Sequence, residues 1–190
     1  MGQVHSHLTI SPTSTKLAWM MHLRPCFNTA MHGTSAAFDL YFMLEQQDKR
    51  KPRGLVIGVD LKSMEPIKGA ILLSNSDFTS SETREMIAKH LMGEKLNVVL
   101  SDMAPNSSGL RHLDHQIIVK LSFSVMKFSV QTLQKNGHMV CKLWDGNETN
   151  IVKETAQKFF KTVKIVKPEA SRSDSAEIYV LCKDFLLDNE

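Results

Sequence analysis

The chain has 190 residues, 42% of them hydrophobic, and a net charge of +3 from 23 basic and 20 acidic side chains. This is ordinary for one globular domain with a sizeable core, and no apolar run approaches the roughly 18 residues that a membrane span needs. Cys26, Cys141 and Cys182 form no C-x-x-C pair, so neither a disulfide framework nor a zinc site is expected, and the slight basic excess suits a polyanionic partner without requiring one.

Residues 1–38 contain no Asp or Glu and many Ser, Thr, His and Met. An acid-poor, Ser-rich start is the composition of a mitochondrial transit segment, although only Lys16 and Arg24 are basic here. Met1-Gly2-Gln3-Val4-His5-Ser6 also fits the short, loose N-myristoylation pattern. From Gly54 the character changes. Gly54–Val59 is an apolar run ending at Asp60, as a buried parallel strand would be, and Ala70–Leu73 is a shorter one followed by Asp77. Ser81–His90 reads as a helix that Ser81 can cap. Leu96–Leu100 is another buried strand, closing at Ser101-Asp102.

His115–Leu133 carries apolar residues at spacings of three and four, the mark of an amphipathic helix, with Asn136-Gly137 as its expected stop. His138–Leu143 reads as a strand, Thr149–Phe160 as a helix, and Thr162–Val166 and Ile178–Cys182 as final strands. Cys141 and Cys182 lie in apolar runs and read as small buried hydrophobes. Alternating strands and helices predict an α/β fold, doubly wound around a mainly parallel sheet. The expected organisation is an atypical segment over 1–50 and a main domain over 54–186.

In open α/β sheets ligands bind beyond the carboxyl ends of the strands, so Asp60, Asp77, Asp102 and Lys142 are the residues to watch. A carboxylate after the second strand of such folds commonly takes a ribose diol, which makes Asp60 a ribose candidate; a solvated loop charge is the bland alternative. Lys142 sits among apolar neighbours in Val140-Cys141-Lys142-Leu143-Trp144, and lysine is rarely buried without a partner. Facing a carboxylate, it is either half of a structural ion pair or a lysine desolvated enough to act as a base. Glu177, where a polar Ser/Arg loop enters an apolar strand, is a third ionisable group.

The blocks Gly58-Val59-Asp60-Leu61, Ser101-Asp102-Met103-Ala104-Pro105-Asn106, Cys141-Lys142-Leu143-Trp144 and Lys167-Pro168-Glu169-Ala170-Ser171-Arg172, with Ser175 and Glu177, resemble the FtsJ-like ribose 2′-O-methyltransferases. Their spacing also fits, with 40 residues from Asp102 to Lys142 and 35 from Lys142 to Glu177. The wording of the last block and the 17-residue step from Asp60 to Asp77 look most like the branch acting on mitochondrial large-subunit rRNA. The resemblance implies a Rossmann-like methyltransferase fold and S-adenosylmethionine as cofactor. It further implies transfer of a methyl group to a ribose 2′-hydroxyl, with rRNA or the large ribosomal subunit as partner. No metal or membrane would be involved, and a mitochondrial monomer is expected. In that family a Lys–Asp–Lys–Glu tetrad carries catalysis, and its last three members map onto Asp102, Lys142 and Glu177. Asp60 would meet the cofactor's ribose, Asp77 its adenine, and Asp102 also its methionine part. Lys164, Lys167, Arg172 and Arg111 would meet RNA phosphates around the mouth of the site.

The sequence departs from the family at its start. The glycine-rich loop of the form G-A-A-P-G-x-W that follows the family's first strand is absent; Met31-His32-Gly33-Thr34-Ser35, before Ala36–Gln46, is the nearest substitute. Trp19–Leu23 is the candidate for the strand itself, and Lys16 for the tetrad's first lysine. A catalytically inactive RNA- or ribosome-binding relative is the alternative this departure leaves open.

Overall fold

The computed structural model describes residues 17–21, 54–105, 108–167 and 175–188. Lys16, the Met31–Ser35 segment, Ala36–Gln46, Asn106 and Arg172 lie outside the described residues. Seven strands form one sheet in the order β3-β2-β1-β4-β5-β7-β6. They are β1 (Leu17–Met21), β2 (Val56–Asp60), β3 (Ala70–Leu73), β4 (Leu96–Ser101), β5 (Leu133–Trp144), β6 (Phe160–Val166) and β7 (Glu177–Phe185). Strands β1 to β5 pair in parallel, and β7 runs antiparallel to both β5 and β6.

β1 stands at the centre, with Met21 opposite Asp60 of β2 and Met20 opposite Ser101 of β4. The strand assigned to Trp19–Leu23 is therefore real and begins two residues earlier, and the segment over 1–50 supplies the middle of the sheet. The chain steps outward from β1 through β2 and β3, then returns to the other side of β1 with β4. That reversal is the topological switch point where such sheets bind ligands. Both Asp60 and Asp102 flank it.

Three helices connect the described strands: α1 (Ser81–Leu91), α2 (Arg111–Thr132) and α3 (Thr149–Ala156). The cap of α1 is Ser80, not Ser81: its side chain accepts from the Thr83 N–H, the usual bond from an N-cap to N3. α2 packs across β4 and β5, and α3 packs on α2 and β6. The alternating burial of β5 and β7 puts Met139, Cys141, Leu143, Ile178, Val180 and Cys182 into the core. Two serines buried in α2, Ser122 and Ser129, return their hydroxyls to the carbonyls of Ile118 and Val125, so neither leaves a polar atom unsatisfied. Burial pushes the Cys141 thiol up to about 12 and raises that of Cys182 further, as inert core cysteines require.

Asn136-Gly137 does not follow the helix as a stop. α2 ends at Thr132, and the pair lies within the irregular entry of β5, where the register against β4 jumps from Leu96–Leu133 to Val98–His138. Asn136 takes a left-handed φ of 62°, and a Cβ on Gly137 would stand 2.8 Å from the Gln134 carbonyl oxygen. The two residues make a bulge rather than a cap. Likewise α3 ends at Ala156, because Phe160 already begins β6.

His138, at the start of the regular part of β5, accepts a hydrogen bond from the Asp184 N–H through Nδ1 at 3.2 Å. Burial lowers its pKa below the ordinary 6.5, against a smaller opposing pull from Asp184. Protonation would also remove that acceptor. A histidine whose folded pKa is depressed favours the unfolded chain once the latter binds the proton. Stability should therefore be flat above about pH 6.5 and fall as pH drops below it toward the depressed value. Urea unfolding across this window should show the fall in the natural chain and a shallower one in His138→Gln; identical profiles would contradict the assignment.

Candidate active site

The carboxyl ends of β2, β4 and β5 and the amino end of the antiparallel β7 meet at one edge of the sheet. In the β5–β7 pairing Lys142 stands directly opposite Tyr179, and Trp144 opposite Glu177. Residues of one parity share a face, so Lys142, Glu177 and Tyr179 project together. Asp102, the residue after β4, completes the group.

Lys142 Nζ lies 2.6 Å from Asp102 Oδ1 and 3.2 Å from Glu177 Oε2. The Tyr179 hydroxyl donates to Asp102 Oδ1 at 2.8 Å and stands 3.4 Å from Glu177 Oε1. The lysine side chain keeps 13% of its surface exposed and each carboxylate 32%, so the cluster is open to a second reactant. Two of the lysine's three donor positions are taken, which leaves one for another acceptor. Burial, and then the Asp102 carboxylate, drive the Tyr179 phenol far above its usual 10; it stays a neutral donor through any assay range. The sequence reading named Asp102, Lys142 and Glu177 and missed Tyr179. Its signal was available: two residues after Glu177 on a strand is the same face.

The rim is braced from α2. Asp114, buried near the helix start, accepts from the Ser108 N–H and hydroxyl at 2.9 and 2.7 Å, which anchors Ser108 to the start of α2. His115 Nε2 lies 2.6 Å from Glu148 Oε2, and Gly146 packs so closely on the imidazole that a Cβ there would come within 2.5 Å of it. The neighbouring Asp145 N–H donates to the Ala176 carbonyl at 2.7 Å, tying this loop to the entry of the strand that carries Glu177.

Beside the cluster is a cavity of about 270 Å³ lined by the ends of β2 and β4, including Val59 and Met103, and by the loop after β3, including Asp77 and Phe78. Phe78 fixes that loop: it is buried, meets Phe128 of α2 edge to face at 5.3 Å, and has the Arg84 guanidinium over its ring at 5.4 Å. Asp77 is exposed at the rim, with Oδ1 holding the Thr79 N–H and hydroxyl. Asp60 is 1% exposed. Its Oδ1 accepts from the Lys62 N–H at 2.8 Å, while Oδ2 is buried without a hydrogen-bond partner among the described residues. Buried carboxylate oxygens are normally satisfied, and an orphan beside a cavity fits a ligand hydroxyl.

The other expected residues are more spread. Lys164 is exposed on β6 and Lys167 just past it, beside the site because Val166 pairs with Tyr179. Arg111, exposed, opens α2. Among the described residues no three His, Cys, Asp or Glu side chains gather as metal ligands, and no helix is long and apolar enough to cross a membrane.

A family model described as FtsJ-like methyltransferase matches residues 40–185. The chain is 37% identical over 139 residues to rRNA methyltransferase 2, mitochondrial, of Drosophila melanogaster, covering 73% of this chain and 56% of that protein. It is 44% identical over 139 residues to the protein of the same name in Caenorhabditis elegans, covering 70% and 64%. Ribosomal RNA large subunit methyltransferase E of Pelagibacter ubique is 38% identical over 130 residues, covering 68% and 63%. The chain thus spans less than two thirds of the length of these curated relatives. Among solved structures, a Plasmodium falciparum protein described as a ribosomal RNA methyltransferase superposes with a TM-score of 0.71 at 22% identity, covering 93% of this chain and 90% of that one, a likeness of fold.

Proposed function

The chain belongs to the FtsJ-like methyltransferase family, and from that premise we propose that it transfers a methyl group from S-adenosylmethionine to a ribose 2′-hydroxyl of large-subunit rRNA, in mitochondria. The observation that carries this reading is the cluster of Lys142, Asp102, Glu177 and Tyr179, close in the chain to a cavity lined by Val59, Leu61 and Met103, with Asp60 Oδ2 buried and without a hydrogen-bond partner among the described residues. The names of the relatives, two of them mitochondrial, support the substrate and the compartment.

The residues fit the cofactor. Asp60 Oδ2 suits a ribose hydroxyl, and Asp77 at the rim of the cavity suits the adenine. When bound, S-adenosylmethionine supplies a methyl group on a sulfonium whose departure is neutral, so the reaction asks for positioning and for removal of one proton. In its neutral amine form Lys142 would receive the proton of the ribose 2′-hydroxyl and become the ammonium that Asp102 and Glu177 hold, and that proton must pass to solvent before the next turnover. Asp102 and Glu177 fix the direction of its Nζ, and the Tyr179 hydroxyl holds the Asp102 carboxylate in place. Val59, Met103 and Ala104 give the cavity an apolar wall. Lys164, Lys167 and Arg111 meet phosphates near the site, with Arg172 as a further candidate. The test is methyl transfer from labelled cofactor to a large-subunit rRNA fragment by the purified chain, with label on the ribose expected; a protein that labels only bases would refute the reading.

A further inference from the structure

Glu177 is the first residue of β7 and stands in the last pair of the β5–β7 ladder, opposite Trp144. One step further out, the Asp145 N–H donates to the Ala176 carbonyl at 2.7 Å. Bonded and unbonded pairs alternate along an antiparallel ladder, so the Trp144–Glu177 pair is an unbonded one. The pairing of β7 with β6 stops at Tyr179 opposite Val166. Among the described residues, then, the backbone of Glu177 is fixed against β5 only through Ala176 on one side and Ile178 on the other. The outer of these two bonds depends on the loop 145–148. Thr149 shapes that loop: its hydroxyl accepts from the Gly146 N–H at 3.0 Å, and its own N–H donates to the Gly146 carbonyl at 3.1 Å. Gly146 also makes the contact with α2, since a Cβ on it would come within 2.5 Å of the His115 ring. Its φ lies outside the left-handed region, so space and not backbone conformation asks for glycine here. His115 is buried, with Nε2 2.6 Å from Glu148 Oε2. Neither ring nitrogen has an aligned hydrogen-bond partner among the described residues, so packing and charge hold the ring.

We propose that His115 is a positioning residue for methyl transfer. Its ring sets how closely the loop 145–148 approaches α2, and the Asp145–Ala176 bond passes that setting to the start of β7. Glu177 thereby keeps its Oε2 at 3.2 Å from Lys142 Nζ. The inference rests on reading the Lys142 cluster as the site of methyl transfer, and it extends that reading to a residue on another element. A plain structural brace is the competing role, because His115 and Glu148 also join the starts of α2 and α3. A brace would act on stability and on the binding of both ligands, whereas a positioning residue acts on the rate through one carboxylate.

The test uses the full chain, labelled S-adenosylmethionine and a large-subunit rRNA fragment, with single-turnover rates and separate binding titrations. G146A should lower the rate ~10–100-fold, the cost of a misplacement approaching about 1 Å, with cofactor and RNA affinities unchanged. H115A/G146A removes the ring that the new methyl group would strike, and should run about fivefold or more faster than G146A, a coupling expected of residues in contact. In an E177Q background G146A should cost almost nothing further, since both changes act through one carboxylate. Should G146A not fold, E148Q loosens the ring without crowding it, and its smaller loss of rate should vanish in E177Q in the same way. Losses in G146A and E177Q that multiply, or a double variant no faster than G146A, overturn the positioning role in favour of a brace. So do natural rates in E177Q, or in both H115A and E148Q. Amide exchange at Asp145, read in parallel, needs no methyl transfer. Exchange that is faster in G146A and slowed again in H115A/G146A supports the coupling, and equal exchange in these and the natural chain overturns it. A natural chain that binds cofactor and RNA but transfers nothing refutes the reading of the function, and the Asp145 amide then decides the coupling alone.

Discussion

Replacing Lys142 with alanine is expected to lower kcat by ~10²–10⁴-fold, the range for loss of a positioned acid–base group. Its Nζ is the atom on which Asp102 and Glu177 both converge, and no other described amine joins the cluster. Lys142→Arg separates a chemical role from a structural one. Arginine keeps the charge and both carboxylate partners but does not give up its proton in proteins. If Lys142 accepts the 2′-hydroxyl proton, the arginine variant should be as inactive as the alanine one; if it only balances two carboxylates, arginine should restore most of the rate. Tyr179→Phe makes a graded companion. It removes the single hydroxyl donor held by Asp102 Oδ1, a bond to a charged group worth ~1.5–3 kcal/mol, of which only the part that differs in the transition state reaches the rate. A fall of about tenfold, or ~1.4 kcal/mol, is expected. Single-turnover rates with a circular-dichroism melt for each variant provide the check, and a Lys142→Ala protein within a fewfold of the natural rate would contradict the assigned role.

Asp60→Ala should weaken S-adenosylmethionine binding by ~10–100-fold, since a hydrogen bond to a charged group contributes ~1.5–3 kcal/mol and each 1.4 kcal/mol is a factor of ten. The carboxylate is buried, has one oxygen on the Lys62 N–H and leaves the other without a hydrogen-bond partner among the described residues. Asp60→Asn keeps the shape and one acceptor and should sit between the two. Calorimetric titration measures the loss, and RNA affinity in the same variants should not move. Unchanged cofactor affinity in Asp60→Ala would leave the buried oxygen without a role.

Most strands could be read from the chain because a parallel sheet covered on its faces needs apolar runs: Val56–Asp60, Ala70–Leu73 and Leu96–Ser101 stand within two residues of where the sequence put them. The positions proposed here as catalytic could be picked out for a related reason. A carboxylate or lysine at the end of an apolar run has nowhere to project but the ligand edge. The failures are local. Ser80 and Ser81 are equally good caps by residue type, and only the turn set by the loop after β3 decides between them. Asn136-Gly137 is as apt for a bulge as for a helix stop, and the choice is made by the fit of β5 against β4. Tyr179 looked like an ordinary strand aromatic; its place in the cluster comes from the antiparallel register that puts it across from Lys142, and register is a property of the assembled sheet. β1 was obscured by its Met and Trp content and by the missing glycine-rich loop. Its place at the centre, between β2 and β4, is fixed by pairing on both sides.

The central claim is methylation of a ribose 2′-hydroxyl, and its most direct test is where the methyl group goes. The full chain is incubated with methyl-labelled S-adenosylmethionine and a large-subunit rRNA fragment, and the RNA is then hydrolysed in alkali. Alkaline cleavage uses the free 2′-hydroxyl as its nucleophile, so methylation there protects the adjoining phosphodiester. The expected result is label confined to alkali-resistant dinucleotides, present with the natural chain and absent with Lys142→Ala. Label released with single nucleotides, or none transferred by a chain that binds both cofactor and RNA, would contradict the account.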